Sequence, residues 1–384
     1  MNVTFSLDNY DHGTGGAEMC ARAIAEHLVA HGHTVHVLQV NSDERQYEDK
    51  GVTIHTRTLP TSRLVRNRGR DTLRWNRAWR PVLERFLSTH PTDLLMTQNR
   101  LLYSSVSVAR ERGIPSVVYV LAYGMFCPTQ FRFHDALSDC DKRCEQCLSL
   151  RERIRYGTTR QAMEQYEEAM RRADLIIACS GYVQQVIRRF YDLDSEVVYP
   201  GIELEDYRAE GDPAERGAIL FIKPQYVKGF PIFCDVAKRM PQRRFLVAGR
   251  PSRHARLRLS RLPNAECLGW ISDMRAVYAR GRVLLGPSIW PEPFGRVFPE
   301  AAAGGVPSVA SARGGIPEAV GDPEGLVEDI FDIDQWVEAL RRLDNPAFYA
   351  ERSARALAAA ERFSGDTTYR TFADCVHKAI GIRL

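Results

Sequence analysis

No stretch of the chain holds the roughly eighteen consecutive apolar residues that a membrane-spanning helix needs, so none is expected. Neither sign of charge is in excess: 52 Lys and Arg against 48 Asp and Glu leave a formal +4. That balance gives no electrostatic case for a nucleic-acid binder. The opening residues, Met1 to Leu7, lack the charged stretch and apolar core of a secretory leader, which makes the cytoplasm the expected compartment. There is no low-complexity tail. A disulfide framework is not expected either. Five of the nine cysteines (Cys20, Cys179, Cys234, Cys267, Cys375) are scattered and read as small reduced core residues.

What is present is the balance of a globular protein, 44% apolar and 26% charged, in a chain of 384 residues. That length exceeds one ordinary core and implies two domains. The pattern agrees. Apolar, partly β-branched runs (Val3–Leu7, Val35–Val40, Val52–Thr56, Asp93–Thr97, Pro115–Leu121, Leu175–Cys179) alternate with helical spacings such as Ala17–Ala30 and Arg77–Leu87. A polar, Gly/Pro-punctuated segment from Pro200 to Pro213 follows, and the alternation then restarts at Ala218–Ile222. The expected fold class is α/β: two doubly wound, Rossmann-like domains facing a cleft. We place the first at residues 1–203 and the second at 212–365, with the terminal helix 366–384 packing back on the first.

The densest chemistry lies between Ser288 and Glu318. An apolar run, Val283–Leu285, leads into a Gly/Pro turn carrying Glu292, then into a helix start carrying Glu300. A second Gly-rich turn, Gly314-Gly-Ile-Pro-Glu318, follows the run Val306–Ala310. Strand-to-helix turns of this kind put backbone N–H groups at the carboxyl ends of parallel strands, where phosphate ligands bind. Lys223 and Lys228 follow the first strand of the same half and can neutralise a pyrophosphate. Glu292 and Glu300 can accept hydrogen bonds from vicinal hydroxyls. The paired carboxylates also suit a glycosidase, but a glycosidase needs neither the cations nor the Gly-rich helix starts. In the first half, Gly13-Thr-Gly-Gly-Ala-Glu18 opens the first helix, although its spacing is not that of the dinucleotide fingerprint.

The second half resembles the retaining glycosyltransferases of the GT-B fold in glycosyltransferase family four, also called glycosyl transferases group 1. Leu268-Gly-Trp270, Gly286-Pro-Ser288, Glu292-Pro-Phe-Gly295, Glu300-Ala301, Gly305-Val-Pro307 and Gly314-Gly-Ile-Pro-Glu318 carry the likeness. Gly15-Gly-Ala-Glu18 and Tyr199-Pro-Gly201 extend it more loosely to the first half. The resemblance implies a nucleotide diphosphate sugar as donor substrate, and no cofactor required for catalysis. It makes Lys223, Lys228 and Glu292 the catalytic candidates. It gives Glu300 the ribose, Phe294 and Gly295 the transferred sugar, and Gly15, Gly16, Arg296 and Val297 the rest of the donor. His134 and Glu18 fall on the acceptor side. The acceptor would be a glycan, a lipid-linked intermediate or a small molecule, in polysaccharide, glycolipid or natural-product synthesis. Lys223 stands where family members usually carry Arg. Leu121 stands where many carry a cleft histidine, upstream of Cys127-Pro128. That departure supports the alternative of a lapsed nucleotide-sugar-binding partner or sensor.

Two further features remain, and the resemblance extends to the first, since some members of the family carry a similar cysteine loop. Cys127, Cys140, Cys144 and Cys147 are spaced C-x12-C-x3-C-x2-C, a pattern that suits a closed structural zinc site and competes with a redox-sensitive thiol cluster. The basic run 63–80, with Trp75 and Trp79, fits peripheral contact with the inner face of a membrane. It equally fits an anionic acceptor, or tryptophans packed inward. Nucleic acid is not an expected partner.

Overall fold

The computed structural model describes residues 1–10, 15–59, 68–132, 134–154, 156–208, 211 and 213–384. The chain divides into two units, one of Met1–Gly201 with Thr368–Leu384, the other of Ile202–Thr367. Residues 63–67 of the basic run and Gly13 lie outside the described residues.

In the first unit, β1 (Asn2–Leu7), β2 (Thr34–Val40), β3 (Gln46–Asp49), β4 (Val52–Arg57), β5 (Leu94–Thr97), β6 (Ser116–Val120), β7 (Leu175–Ala178) and β8 (Glu196–Val197) form one sheet. Its order is β3-β4-β2-β1-β5-β6-β7-β8. Every pairing is parallel except β3 with β4. The central strands are buried throughout, as β5 and β6 are, because helices cover both faces of a parallel sheet. The polar strand β3 is an antiparallel edge, and apolar patterning gives no sign of it.

The helix Arg68–Thr89 settles where the tryptophans go. Trp79 is fully buried among Leu38, Leu83, Phe86 and Leu95, and its indole N–H donates to Ser6 Oγ at 2.8 Å. Trp75 is half-buried beneath the Arg100 guanidinium. The inward reading therefore holds for Trp79, which is unavailable to a membrane surface. Gly69 is needed because a Cβ there would stand 2.5 Å from the Thr159 backbone, on the neighbouring helix Tyr156–Arg172. Among the described residues no helix is long and apolar enough to cross a membrane.

The second unit holds β9 (Ala218–Ile222), β10 (Arg244–Ala248), β11 (Ala265–Gly269), β12 (Gly281–Gly286), β13 (Ser308–Ser311) and β14 (Leu326–Val327). They run in the order β11-β10-β9-β12-β13-β14, all parallel. The order reverses between β9 and β12. That is a topological switch point, where the loops at the strands' carboxyl ends diverge and leave a crevice. Phe221, Phe233, Phe245 and Trp336 fill the core. One buried ion pair ties the outer layer to this sheet. Arg352, on the helix Pro346–Ala360, pairs with Asp322 and donates to the carbonyls of Ser308 (3.1 Å) and Glu324 (3.0 Å). Removing Arg352 leaves Asp322 only the weaker, half-exposed Arg355, 3.5 Å away, as counter-charge. Arg352→Ala should still cost about 3 kcal/mol in a denaturant unfolding curve; a loss below about 1 kcal/mol would show that Arg355 suffices for Asp322.

Candidate functional site

Lys223 and Lys228 follow β9, and Ser288 to Glu300 follow β12, so both sets stand at the switch point of the second unit. The two loops are fastened to each other. The Val227 carbonyl accepts from the amides of Ile289 (3.1 Å) and Trp290 (3.0 Å) and from Ser288 Oγ (3.1 Å). Gly229 has φ 81°, and a Cβ on it would fall 1.6 Å from the Pro287 carbonyl oxygen. Only glycine fits that approach.

Lys228 Nζ lies 2.7 Å from Glu292 Oε2 and 5.0 Å from the centre of the Trp290 ring. The pair is largely buried, with the two side chains 21% and 10% exposed, so it is less screened than a surface pair. Behind it, the amide of Gly315 donates to the Glu292 carbonyl at 2.7 Å, and Gly314, at φ 62°, leaves that oxygen room. The second Gly-rich turn therefore holds the backbone of Glu292. Lys223 is exposed and sits at φ 61°, a left-handed conformation that costs a side-chain-bearing residue on the order of 1–2 kcal/mol. Its amide donates to Ala248 O at 2.8 Å, which pins it beside β10.

Glu300 is buried at the start of the helix Val297–Ala303. Tyr278 donates its hydroxyl to Glu300 Oε2 at 2.9 Å, and Arg296 Nε lies 3.3 Å from Oε1. Arg296 also hydrogen-bonds Tyr207. Burial, with the Glu300 charge adding to it, pushes the Tyr207 phenol up to about 12 and the Tyr278 phenol well above its ordinary value. Both stay neutral at working pH, and Tyr278 remains a donor. Neither tyrosine is marked by any motif. Tyr278 lies 22 positions from the glutamate it orients. Gly295, at φ 102°, rests on the Phe298 ring, and Phe294 is buried edge-on against Phe363. Val297 opens the helix. The amides of Phe298 and Glu300 are taken by the carbonyls of Gly295 (3.1 Å) and Arg296 (3.1 Å).

In the first unit, Gly15 caps the helix Gly16–Ala30 in extended conformation, and Glu18 reaches back over it: a Cβ on Gly15 would meet Glu18 Oε2 at 2.6 Å. This helix start thus carries its own carboxylate. Sequence reasoning missed Asp8, at the end of β1. Its surroundings desolvate it, outweighing the nearby Arg100, and push its carboxyl up from 3.8 to about 6. His134 lies on the wall of a cavity of about 70 Å³ that all four clustered cysteines line, with Asp139 and Asp141. The thiols are free. Burial first, and then the neighbouring cysteines, raise the Cys147 thiol; Cys140 shifts the same way. Tyr156 hydrogen-bonds Cys144. Among the described residues no group of three or more His, Cys, Asp or Glu is arranged to hold a metal ion. Hydrogen bonds and aromatic packing also hold this loop. Tyr191 donates to Met125 O, Arg189 to Cys140 O (2.7 Å), and Tyr123 packs edge-on against Phe131.

The model of Glycosyltransferase Family 4 matches residues 14–206, half of the chain, and that of Glycosyl transferases group 1 matches residues 217–345. No curated protein matches the sequence significantly. Among solved structures, sucrose-phosphate synthase from Thermosynechococcus elongatus superposes with a TM-score of 0.76 at 16% identity. That match covers 99% of this chain and 100% of that one. HepE of Anabaena in complex with UDP-glucose gives 0.72 at 18% identity, over 98% of this chain and 100% of that one. WaaG, a glycosyltransferase of lipopolysaccharide biosynthesis, gives 0.69 at 17% identity, over 99% and 100%. These likenesses show the fold, an α/β chain of two parallel-sheet domains shared with GT-B glycosyltransferases.

Asp8 supplies a test at the carboxyl end of β1. A carboxyl raised from 3.8 to about 6 makes the folded state bind its proton more tightly, so stability is fullest at low pH and falls as pH rises through that window. Asp8→Asn should match the parent near pH 4 and exceed it above pH 6, by on the order of 2 kcal/mol in chemical denaturation. A constant difference across pH would contradict this.

Proposed function

The chain belongs to Glycosyltransferase Family 4, and from that premise we propose that it transfers a sugar from a nucleotide diphosphate sugar to an acceptor hydroxyl with retention at the anomeric carbon. The observation that carries this reading is the paired arrangement at the ends of β9 and β12. Lys228 is held against Glu292, and Glu300 is fixed at both oxygens by Tyr278 and Arg296. Glu300 would accept the ribose hydroxyls. Glu292 would accept from the transferred hexose, helped by the backbone at Phe294 and Gly295. Lys223 and Lys228 would meet the diphosphate, Lys223 as a point charge rather than a planar fork.

The acceptor oxygen attacks the anomeric carbon on the face the diphosphate leaves. The bond from that carbon to the phosphate oxygen breaks, and the acceptor's proton passes to a leaving-group oxygen. Two cations fixed in advance where that charge grows supply the acceleration, with no strong side-chain base. HepE was solved with UDP-glucose, which makes a uridine diphosphate sugar the first donor to try. Gly15, Gly16, Glu18 and His134 remain the candidates for the first unit's part. The acceptor is proposed to be a glycan, a lipid-linked intermediate or a small molecule. The second reading, a binding protein without turnover, is favoured by Leu121 and by His134 facing the cysteine cavity.

The structural zinc belongs to this proposal too. Four thiols share one cavity, as tetrahedral thiolate ligation needs, but they would have to close in around the ion. The metal would then tie the loop down and take no part in the chemistry.

Slow release of UDP from UDP-glucose, or from another nucleotide sugar in a panel, is the expected signal of the enzyme; tight binding without release would favour the sensor. Lys228→Ala and Glu300→Ala should each lower turnover about 100-fold or more, with circular dichroism confirming the fold, and near-parental rates would sink the proposed roles. For the cysteines, elemental analysis of protein purified without added metal should find about one zinc per chain. Cys144→Ser with Cys147→Ser should abolish it, whereas a metal-free parent would leave the thiol-cluster reading.

A further inference from the structure

The helices Arg68–Thr89, Leu102–Glu111 and Tyr156–Arg172 of the first unit line an open, polar cavity of about 240 Å³. None of the donor-site, acceptor-side or cysteine-cluster candidates lines it, though Asn76, Arg77 and Arg80 belong to the basic run 63–80. One wall is fully satisfied and therefore rigid. Asn76 donates to the carbonyls of Thr72 (2.9 Å) and Arg100 (2.7 Å) and accepts from the Ser104 amide and hydroxyl, both at 2.9 Å. Two other polar groups of the lining are not satisfied. Ser107 is only 6% exposed and lines the cavity, yet its hydroxyl has no partner among the described residues. The buried amide oxygen of Gln165, across the cavity, has none either. Leaving such groups unpaired costs about 1–3 kcal/mol each. Native proteins seldom carry two in one cavity without a ligand or water to answer them.

Cationic groups complete the lining. Arg77 is exposed on the cavity side of its helix and makes no ion pair among the described residues. Arg80 lines the cavity beside it, but Glu84 and Glu111 already balance its charge, so Arg77 is the cation left to meet a ligand. An anionic group would meet Arg77, while hydroxyls, which both donate and accept, would answer Ser107 and Gln165. The pocket has room for a group the size of a sugar ring. We propose that this cavity is a second binding site, separate from the donor site, for an anionic saccharide unit: a monosaccharide bearing a phosphate or carboxylate group.

Titration calorimetry on the full chain tests this with glucose 6-phosphate, glucuronate, glucose and inorganic phosphate as probes. The expected result is saturable binding of glucose 6-phosphate or glucuronate. It should weaken at least about tenfold in Arg77→Glu and in Ser107→Ala, and persist in Lys228→Ala. Which of the two anionic sugars binds identifies the charged group. Arg77 is exposed, so its replacement leaves the fold intact. Three outcomes would overturn the proposal: no probe binding at millimolar concentration, inorganic phosphate binding as tightly as the sugar anion, or binding lost in Lys228→Ala and unchanged in the two cavity variants.

Discussion

One carbonyl oxygen, that of Val227, holds the candidate site together. It accepts from two amides and a hydroxyl of the segment Ser288–Trp290, while Gly229 lets the following turn close onto Pro287. Without that fastening, the cation from one loop and the carboxylate from the next would each hang on a separate flexible turn. With it, Lys228 and Glu292 are placed by backbone geometry before any side-chain contact forms. The carboxyl ends of β9 and β12 behave as a single element. Preorganisation of this kind is what an electrostatic site requires, since charges that must first be gathered contribute less to the barrier.

The glutamates are held differently. Glu292 is gripped through its main chain, by the Gly314-Gly315 turn, and its side chain meets one cation, Lys228. Glu300 is gripped through its side chain, by a buried phenol and a guanidinium. A group meant to contact a constant part of a ligand profits from the second arrangement. A group that must follow a reacting sugar profits from the first.

Much of this was legible in the residues. The strands β9 and, after Arg244, β10 are continuous apolar runs, as burial on both sheet faces produces, while β1 and β2 remain mostly apolar around Thr4, Ser6, His36 and Gln39. Glu292 and Glu300 stand out because glycines and prolines surround them at fixed spacing. The polar edge β3 was not legible, because an exposed strand needs no apolar face. The helix Leu102–Glu111 hides behind three buried serines, two of which hydrogen-bond to Leu101 O. Tyr278, Tyr207 and Asp8 act through contacts remote in sequence, which no local pattern can carry. The tryptophans near Arg80 could be read as interfacial or as packed inward, because the arginines around them are conspicuous. In the fold, the arginines face outward around a buried Trp79.

The pairing of Lys228 with Glu292 has a thermodynamic consequence for any ligand that uses both. A diphosphate that draws Lys228 away leaves Glu292 without its counter-charge, and a hydroxylated sugar then finds that carboxylate open to accept hydrogen bonds. Each half of such a ligand lifts the obstacle facing the other. The two halves joined should bind more tightly than their separate affinities combine to give, with the unliganded ion pair as the source of that linkage.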